Sequence, residues 1–167
     1  STTNAALGSW NPNASSPVFA LASTASAVYA GGQFTTVNGG TTRNRIAEFN
    51  TTDGTATSWN PNANDIVYAI TLSGSTAYVG GDFTTIGGQT RNRIAALSTS
   101  DGTASSWDPN ANDRVYMILI SGSTAYASGV FTTIGGQTRN RIAALATGDG
   151  TASSWDPNAN GTVFAIA

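Results

Sequence analysis

The residues best equipped for binding form a short oxygen-rich loop that closes each internal repeat of the chain. Its form is Asp/Asn-Pro-Asn-Ala-Asn, at 60–64, 108–112 and 156–160. The last copy runs into Gly161 and matches the opening of a calcium loop, in which alternating oxygens converge on one ion. However, Ala167 stands where that loop needs a bidentate Glu, and proline turns explain the loop without a metal. We predict no metal site, and the binding candidates are Asp108, Asn110, Asn112, Asp156, Asn158 and Asn160.

Three arginine pairs supply six of the seven positive charges: Arg43/Arg45, Arg91/Arg93 and Arg139/Arg141. A ring of such pairs could bind anions. Because the pair recurs in every repeat, we favour a structural role. Guanidinium groups present a fixed fork of donors, so we expect them to bond local carbonyls or an acid such as Asp82 and to tie one repeat to the next.

Only residues that break the repeat could mark a single site on a repeating surface. The charged residues of this kind are Glu48, Asp82 and Arg114. The remaining acids recur, and Asp53, Asp101 and Asp149 fall in predicted hairpin turns. A glycosidase needs two carboxylates about 5–10 Å apart, and sequence spacing does not establish such a pair.

Most enzyme chemistry is excluded by composition. Lysine, histidine and cysteine are absent, which removes imidazole bases, thiol nucleophiles, Schiff bases, disulfides and His- or Cys-ligated metals. We expect a non-enzymatic protein without a cofactor. A hydrolase that uses Glu48 or Asp82 is the remaining enzymatic alternative.

The overall composition indicates a polar but folded chain. Apolar residues make up 40% and charged residues 10%, against about 25% charged in ordinary soluble domains. The net charge of −2 provides no basic surface for nucleic acid. No apolar run approaches the ~20 residues of a membrane span.

A repeat of 48–49 residues dominates the chain. Trp10, Trp59, Trp107 and Trp155 are spaced 49, 48 and 48 residues apart, and segments 59–106 and 107–154 differ at 10 of 48 positions. We divide the chain into unit 1 (17–59), unit 2 (66–107) and unit 3 (114–155). A lone outer strand at 6–10 precedes them and a lone inner strand at 162–167 follows.

The sequence pattern of each unit predicts four short strands. In unit 2 these are an apolar run at 66–72, a segment with paired glycines at 76–83, an alternating segment at 91–97 and a return segment at 103–107. The Asp101-Gly102 step is a strong hairpin signal, whereas we interpret the TTIGGQT stretch as a loop. No helical spacing of apolar residues occurs.

Four strands per 40–50 residues are typical of a β-propeller blade. We therefore predict an all-β chain of three four-stranded antiparallel blades, in which the tryptophans wedge between neighbours. A β-solenoid is the alternative. Three blades leave the ring incomplete, because propellers use about 4–8. We expect the ring to be completed by the rest of a longer polypeptide or by identical copies.

A family resemblance covers nearly the whole chain. The phrases Gly80-Gly81-Asp82-Phe83, Thr84-Thr85-Ile86 and Arg91-Asn92-Arg93-Ile94-Ala95, with the Trp-Asp/Asn-Pro ending, resemble the delta-sixty repeat, a β-propeller repeat of large bacterial surface and secreted proteins. The resemblance implies a propeller outside the cytoplasm, and it brings no catalytic residues.

We therefore expect an extracellular or cell-surface module for binding, adhesion or display. The TTIGGQT and Asp-Pro-Asn-Ala-Asn loops emerge on one side, which we call the loop face. Its hydroxyls and amides suit a glycan or a surface protein as partner. A structural repeat that assembles into a fibre or sheath is the alternative from a different class.

Overall fold

The computed structural model describes residues 10–167, which contain strands and loops but no helix. No helix in this part of the chain is therefore available to cross a membrane. The all-β prediction is confirmed. Of the predicted outer strand at 6–10, only Trp10 lies within the described residues.

Unit 1 folds as one antiparallel sheet with a small hairpin at its end. Its strands are β1 (Val18–Ser23), β2 (Ala27–Gly32), β3 (Thr36–Val37), β4 (Thr41–Thr42) and β5 (Ile46–Asn50). The sheet order is β1-β2-β5, and β3 pairs with β4. The continuous apolar run thus forms the inner edge strand, and the glycine-paired strand lies in the middle.

Units 2 and 3 repeat this plan. Unit 2 contains β6 (Val67–Ser73), β7 (Thr76–Gly81), β8 (Thr85–Ile86), β9 (Gln89–Thr90) and β10 (Ile94–Ser98). Unit 3 contains β11 (Val115–Ser121), β12 (Thr124–Gly129), β13 (Thr133–Ile134), β14 (Gln137–Thr138) and β15 (Ile142–Ala146). All pairings within the units are antiparallel.

The predicted fourth strand of each unit is present only as a single bridge. In unit 2 the bridge joins Leu97 and Ala104, after a turn in which Ser98 N–H donates to Thr103 O at 2.9 Å. Beyond the bridge, the ladder ends because Arg91 Nη2 donates to the Ser105 carbonyl at 2.5 Å. A side chain thus replaces the backbone partner that a longer strand would need.

The TTIGGQT stretch is a hairpin rather than the predicted loop. In unit 2, β8 and β9 are joined by Gly87 and Gly88, with φ of +60° and +77°. Two adjacent positive φ values are the signature of a type I′ turn, for which a Gly-Gly pair is well suited.

The core lies between successive units because glycine allows them to approach closely. A Cβ on Gly31 of unit 1 would lie 2.5 Å from Val67 Cγ1 of unit 2, and a Cβ on Gly80 would lie 2.8 Å from Val115 Cγ1 of unit 3. Both valines are fully buried. The inner strand of each unit therefore packs directly on the middle strand of the preceding one.

The tryptophans lie between the units, as predicted. Trp107 meets Tyr78 of unit 2 edge-to-face at 5.1 Å, and its Nε1 donates to Ala146 O of unit 3 at 2.8 Å. Trp59 joins units 1 and 2 in the same way, with Tyr29 and Ser98 O as its partners.

The described residues form no closed ring, in agreement with the prediction. Residues 162–167, predicted as a lone inner strand, are not in a strand. They lie beside unit 3, where Val163 N–H donates to Gly129 O at 3.3 Å. This segment has no middle strand of its own to pair with among the described residues.

Candidate functional site

The Asp and Asn side chains of the oxygen-rich loops bond mainly to other protein groups. Asp108 Oδ2 lies 3.8 Å from Arg91 Nη1, and Asn110 Oδ1 accepts from Asn92 Nδ2 at 2.7 Å. The next loop repeats both contacts at the same distances, with the pairs Asp156–Arg139 and Asn158–Asn140. These side chains fix each loop against the arginine-bearing segment of its own unit.

Asn112 holds its loop to the following unit. Its Oδ1 accepts the N–H groups of Thr132 and Thr133 at 2.9 and 3.0 Å, and its Nδ2 donates to Thr132 Oγ1 at 2.8 Å. Asn160 is exposed. Within residues 10–167, no three acidic side chains come together as metal ligands. The six candidates are therefore divided between two loops, and five of them already have protein partners.

The first arginine of each pair bonds to local carbonyls, as expected. Arg91 donates to Thr90 O at 2.7 Å and to Ser105 O at 2.5 Å, both in its own unit. Arg43 and Arg139 make the equivalent bonds. An acid also joins two of the pairs, since Asp108 lies near Arg91 and Asp156 near Arg139. Asp82 is not such an acid, because it bonds to Arg114 instead. These arginine contacts stay within one unit, so they do not make the expected link from one repeat to the next.

Glu48 lies opposite Tyr29 in the ladder of unit 1. Burial, together with the Glu48 carboxylate, raises the pKa of the Tyr29 hydroxyl well above its ordinary value. Tyr29 is itself the partner of Trp59. Glu48 therefore lies beside a tyrosine of the junction between units 1 and 2.

The structure brings together the other two residues that break the repeat. Arg114 Nε donates to Asp82 Oδ1 at 2.6 Å across the junction of units 2 and 3. The corresponding positions hold Gln33 and Val130 in place of the acid, so this ion pair occurs at one place among the units. The Asp82 hydrogen bond is the main reason that the pKa of Arg114 lies above its ordinary value.

Two tyrosines complete this polar cluster. Tyr68 Oη donates to Asp82 Oδ2 at 3.3 Å, and Arg114 Nη1 donates to Tyr116 Oη at 3.0 Å. The guanidinium carbon also lies 5.3 Å and 5.6 Å from the centroids of the two rings, a cation–π arrangement. Burial and the Asp82 charge raise the pKa of Tyr68, which keeps its hydroxyl protonated as the donor.

The tyrosines belong to a row of four rings that crosses all the units. Phe19, Tyr68, Tyr116 and Phe164 follow one another with centroids 5.5, 5.3 and 5.2 Å apart. We call these four side chains the aromatic row. In each of the three units, the inner strand has a bulge at the residue that carries the ring, so that this residue has no partner in the ladder. Such a bulge turns the side chain away from the ladder.

A groove of about 470 Å³ lies beside the aromatic row. Its lining includes Phe19, Leu21, Tyr68, Tyr116, Ile118 and Ile166. The end rings are open to solvent, since Phe19 is 48% and Phe164 69% exposed. Asp82 directly follows β7 and Arg114 directly precedes β11, which places the polar cluster where the loops emerge.

Sequence reasoning named Asp82 and Arg114 as residues that break the repeat, but it did not pair them and it missed the aromatic row. The signal was present, because an aromatic residue follows the first valine of each inner segment. These pairs are Val18-Phe19, Val67-Tyr68, Val115-Tyr116 and Val163-Phe164.

The family described as "Domain of unknown function (DUF5122) beta-propeller" matches residues 28–56 and 77–104. The chain has a β-propeller fold. The two matched segments begin in the middle strands of units 1 and 2. They end at the single bridge residue found where the fourth strand was predicted. They include Tyr29 and Tyr78, which contact Trp59 and Trp107, whereas both tryptophans lie outside the matched residues.

Two designed proteins are similar to this propeller in structure. The crystal structure of the computationally designed Ika8 protein has a TM-score of 0.48 and 12% identity, over 85% of this chain and 50% of Ika8. The designed Ika4 protein has a TM-score of 0.46 and 11% identity, over 79% of this chain and 92% of Ika4. This chain therefore spans half the length of Ika8. No curated protein matches the sequence.

Proposed function

We propose that this propeller is a non-enzymatic binding module of the delta-sixty repeat class that works outside the cell. It contacts its partner through the loop face, at the aromatic row and the Asp82–Arg114 pair. The observation that carries the proposal is the convergence of these two charges on one place, because a repeated surface needs such a difference to offer a single site.

The chemistry of the cluster favours binding over catalysis. Asp82 is held by an arginine and a tyrosine, so its charge is already balanced and each of its oxygens accepts one hydrogen bond. A general acid or base needs a pKa matched to its task. The cluster instead combines rings, donors and acceptors in fixed positions, the composition typical of a recognition site.

The test compares the chain with a double variant, Asp82→Asn with Arg114→Gln. This exchange keeps polar groups of similar size and removes both charges. Both proteins are applied to a panel of immobilised polysaccharides and peptides, with Asp113→Asn as the control for a neighbouring exposed acid. We expect at least one probe to bind the chain and the control, and to bind the double variant clearly less.

Two results would contradict this function. One is a chain that binds no probe of the panel, or binds every probe independently of the pair. The other is turnover of glycoside or ester substrates that is lost in Asp82→Asn or Glu48→Gln, since this would make the protein a hydrolase.

A second candidate function, self-assembly, is favoured by the open face of unit 1. Val18 and Leu21 are 41% and 66% exposed, whereas their repeat equivalents Val67 and Ile70 are at most 7% exposed. A second copy that docked there through its unit 3 would have to displace its own residues 162–167, since Phe164 already packs on Tyr116. Sedimentation at rising concentration tests this candidate, and assembly that Leu21→Glu abolishes would support it.

A further inference from the structure

Within residues 10–167, Phe19 and Phe164 offer apolar ring surface on either side of a polar centre. Phe19 and Phe164 are about half or more exposed, while Tyr68 and Tyr116 are partly buried under the guanidinium of Arg114. A ligand that lies along the row therefore meets an aromatic ring, a set of hydrogen-bonding groups and a second aromatic ring.

The polar centre is electrically balanced and retains free hydrogen-bonding capacity. The Arg114 charge is matched by Asp82 at 2.6 Å, so the centre holds no surplus charge for an ionic ligand. Among residues 10–167, Asp82 and Tyr116 are the side-chain partners of this guanidinium, which has five N–H groups. The Arg114 side chain is 38% exposed, which leaves donors accessible to solvent beside the two tyrosines that line the groove.

We propose that the aromatic row binds a neutral oligosaccharide. Its sugar rings lie against Phe19 and Phe164, and hydroxyls between them bond to Arg114 and Asp82. The inference rests on the proposed binding function and names the ligand class of that site.

A sugar chain fits this arrangement for two physical reasons. Its ring faces carry C–H groups that pack on aromatic surface, and its hydroxyls both donate and accept. A neighbouring carboxylate and guanidinium supply one acceptor and several donors for such hydroxyls. Proline-rich peptides also bind aromatic grooves, but they have no N–H at proline and offer mainly carbonyl acceptors, so they bring no further donor to the carboxylate.

The experiment is calorimetric titration of the full chain with three probes: cellohexaose, maltohexaose and a proline decapeptide. We expect one hexasaccharide to bind and the peptide not to bind. Phe19→Ala and Phe164→Ala should each weaken that binding by about tenfold, the factor that 1.4 kcal/mol gives.

The control is Trp155→Leu, because Trp155 is a similarly exposed ring, 45%, that lies outside the aromatic row. It should leave the affinity unchanged. The thermal midpoints of Phe19→Ala and Phe164→Ala should stay close to that of the parent, since about half of the Phe19 ring and more of the Phe164 ring are already in water.

Every other outcome overturns the sugar assignment. If the decapeptide binds and its binding depends on Phe19 and Phe164, the proposed binding function stands, but its ligand is a peptide and not a sugar. Sugar binding that both alanine variants retain would place the sugar elsewhere. Failure of all three probes, together with no binding in the panel experiment, would remove the proposed function as well.

Discussion

The junctions inside the chain differ from the one that follows unit 3, although the same motif builds all of them. Where unit 3 packs on unit 2, Gly80 lets Val115 approach, and Val115 is fully buried. Where residues 162–167 meet unit 3, Ser128 stands at the corresponding position and Val163 is only partly buried. The hydroxyl of Ser128 is itself buried without a hydrogen-bond partner among the described residues.

At both interior junctions a glycine lies where a Cβ would meet the valine of the next inner strand. We expect this position to control how closely one unit packs on another. The aromatic row depends on the same spacing, since its rings belong to those inner strands. The following predictions test the contrast between the interior junctions and the outer ones.

The largest effect is expected for the tryptophan at an interior junction. Trp107→Ala removes a buried ring, its contact with Tyr78 and its hydrogen bond to Ala146 O. The free energy of unfolding should fall by about 3–5 kcal/mol, the usual cost of deleting a buried aromatic side chain. Trp155→Ala should cost far less, because that ring is 45% exposed. Urea unfolding measures both, and equal losses would mean that the junctions contribute alike.

The next effect compares two residues at the same repeat position. Ile70 is 7% exposed and packs on unit 1, whereas Leu21 is 66% exposed. Ile70→Ala should therefore cost about 2–5 kcal/mol, while Leu21→Ala should change the free energy of unfolding by no more than about 0.5 kcal/mol. A large loss for Leu21→Ala in dilute solution would indicate that its face is covered there.

A third prediction exchanges residues at the glycine position. Gly80→Ala places a Cβ 2.8 Å from Val115 Cγ1, and the crowding should cost about 1–3 kcal/mol. Gly148→Ala is the control, because nothing lies within 4 Å of its Cβ position.

Ser128→Ala tests the junction between unit 3 and residues 162–167. It removes a buried hydroxyl that has no partner among residues 10–167 and should stabilise the fold by about 1 kcal/mol or more, the penalty of leaving such a group unpaired. A loss of stability would show that the hydroxyl is hydrogen-bonded in solution.

The sequence predicts the units and junctions well because these depend on local patterns and strict repetition. Trp59 and Trp107 lie where their spacing placed them, and the Asp101-Gly102 turn joins the predicted strands. The Gly87-Gly88 hairpin was missed because two short polar strands carry no apolar alternation. The site is harder to predict. Asp82 and Arg114 are 32 residues apart, and only the register of one unit against the next makes them neighbours.

The smallest effect is expected from turns that are the same in every unit, which makes them a reference for the junctions. Asp101 Oδ1 accepts from Thr103 N–H at 3.0 Å and from its hydroxyl at 2.8 Å. These bonds lower the pKa of Asp101 below its ordinary value of 3.8, and Asp53 and Asp149 behave alike. Because the folded pKa is the lower one, the stabilisation is complete above about pH 4. It is lost as the pH falls through the folded value.

Asp101→Asn should therefore make the free energy of unfolding less dependent on pH below 4, with little change at pH 7, where the amide oxygen still accepts both bonds. Asp53→Asn and Asp149→Asn should give the same small change, measured by urea unfolding between pH 2 and 7. The turn is local and does not depend on which units flank it. A response that differs between the three positions would mean that the asymmetry of the junctions extends to the outer edge of the units.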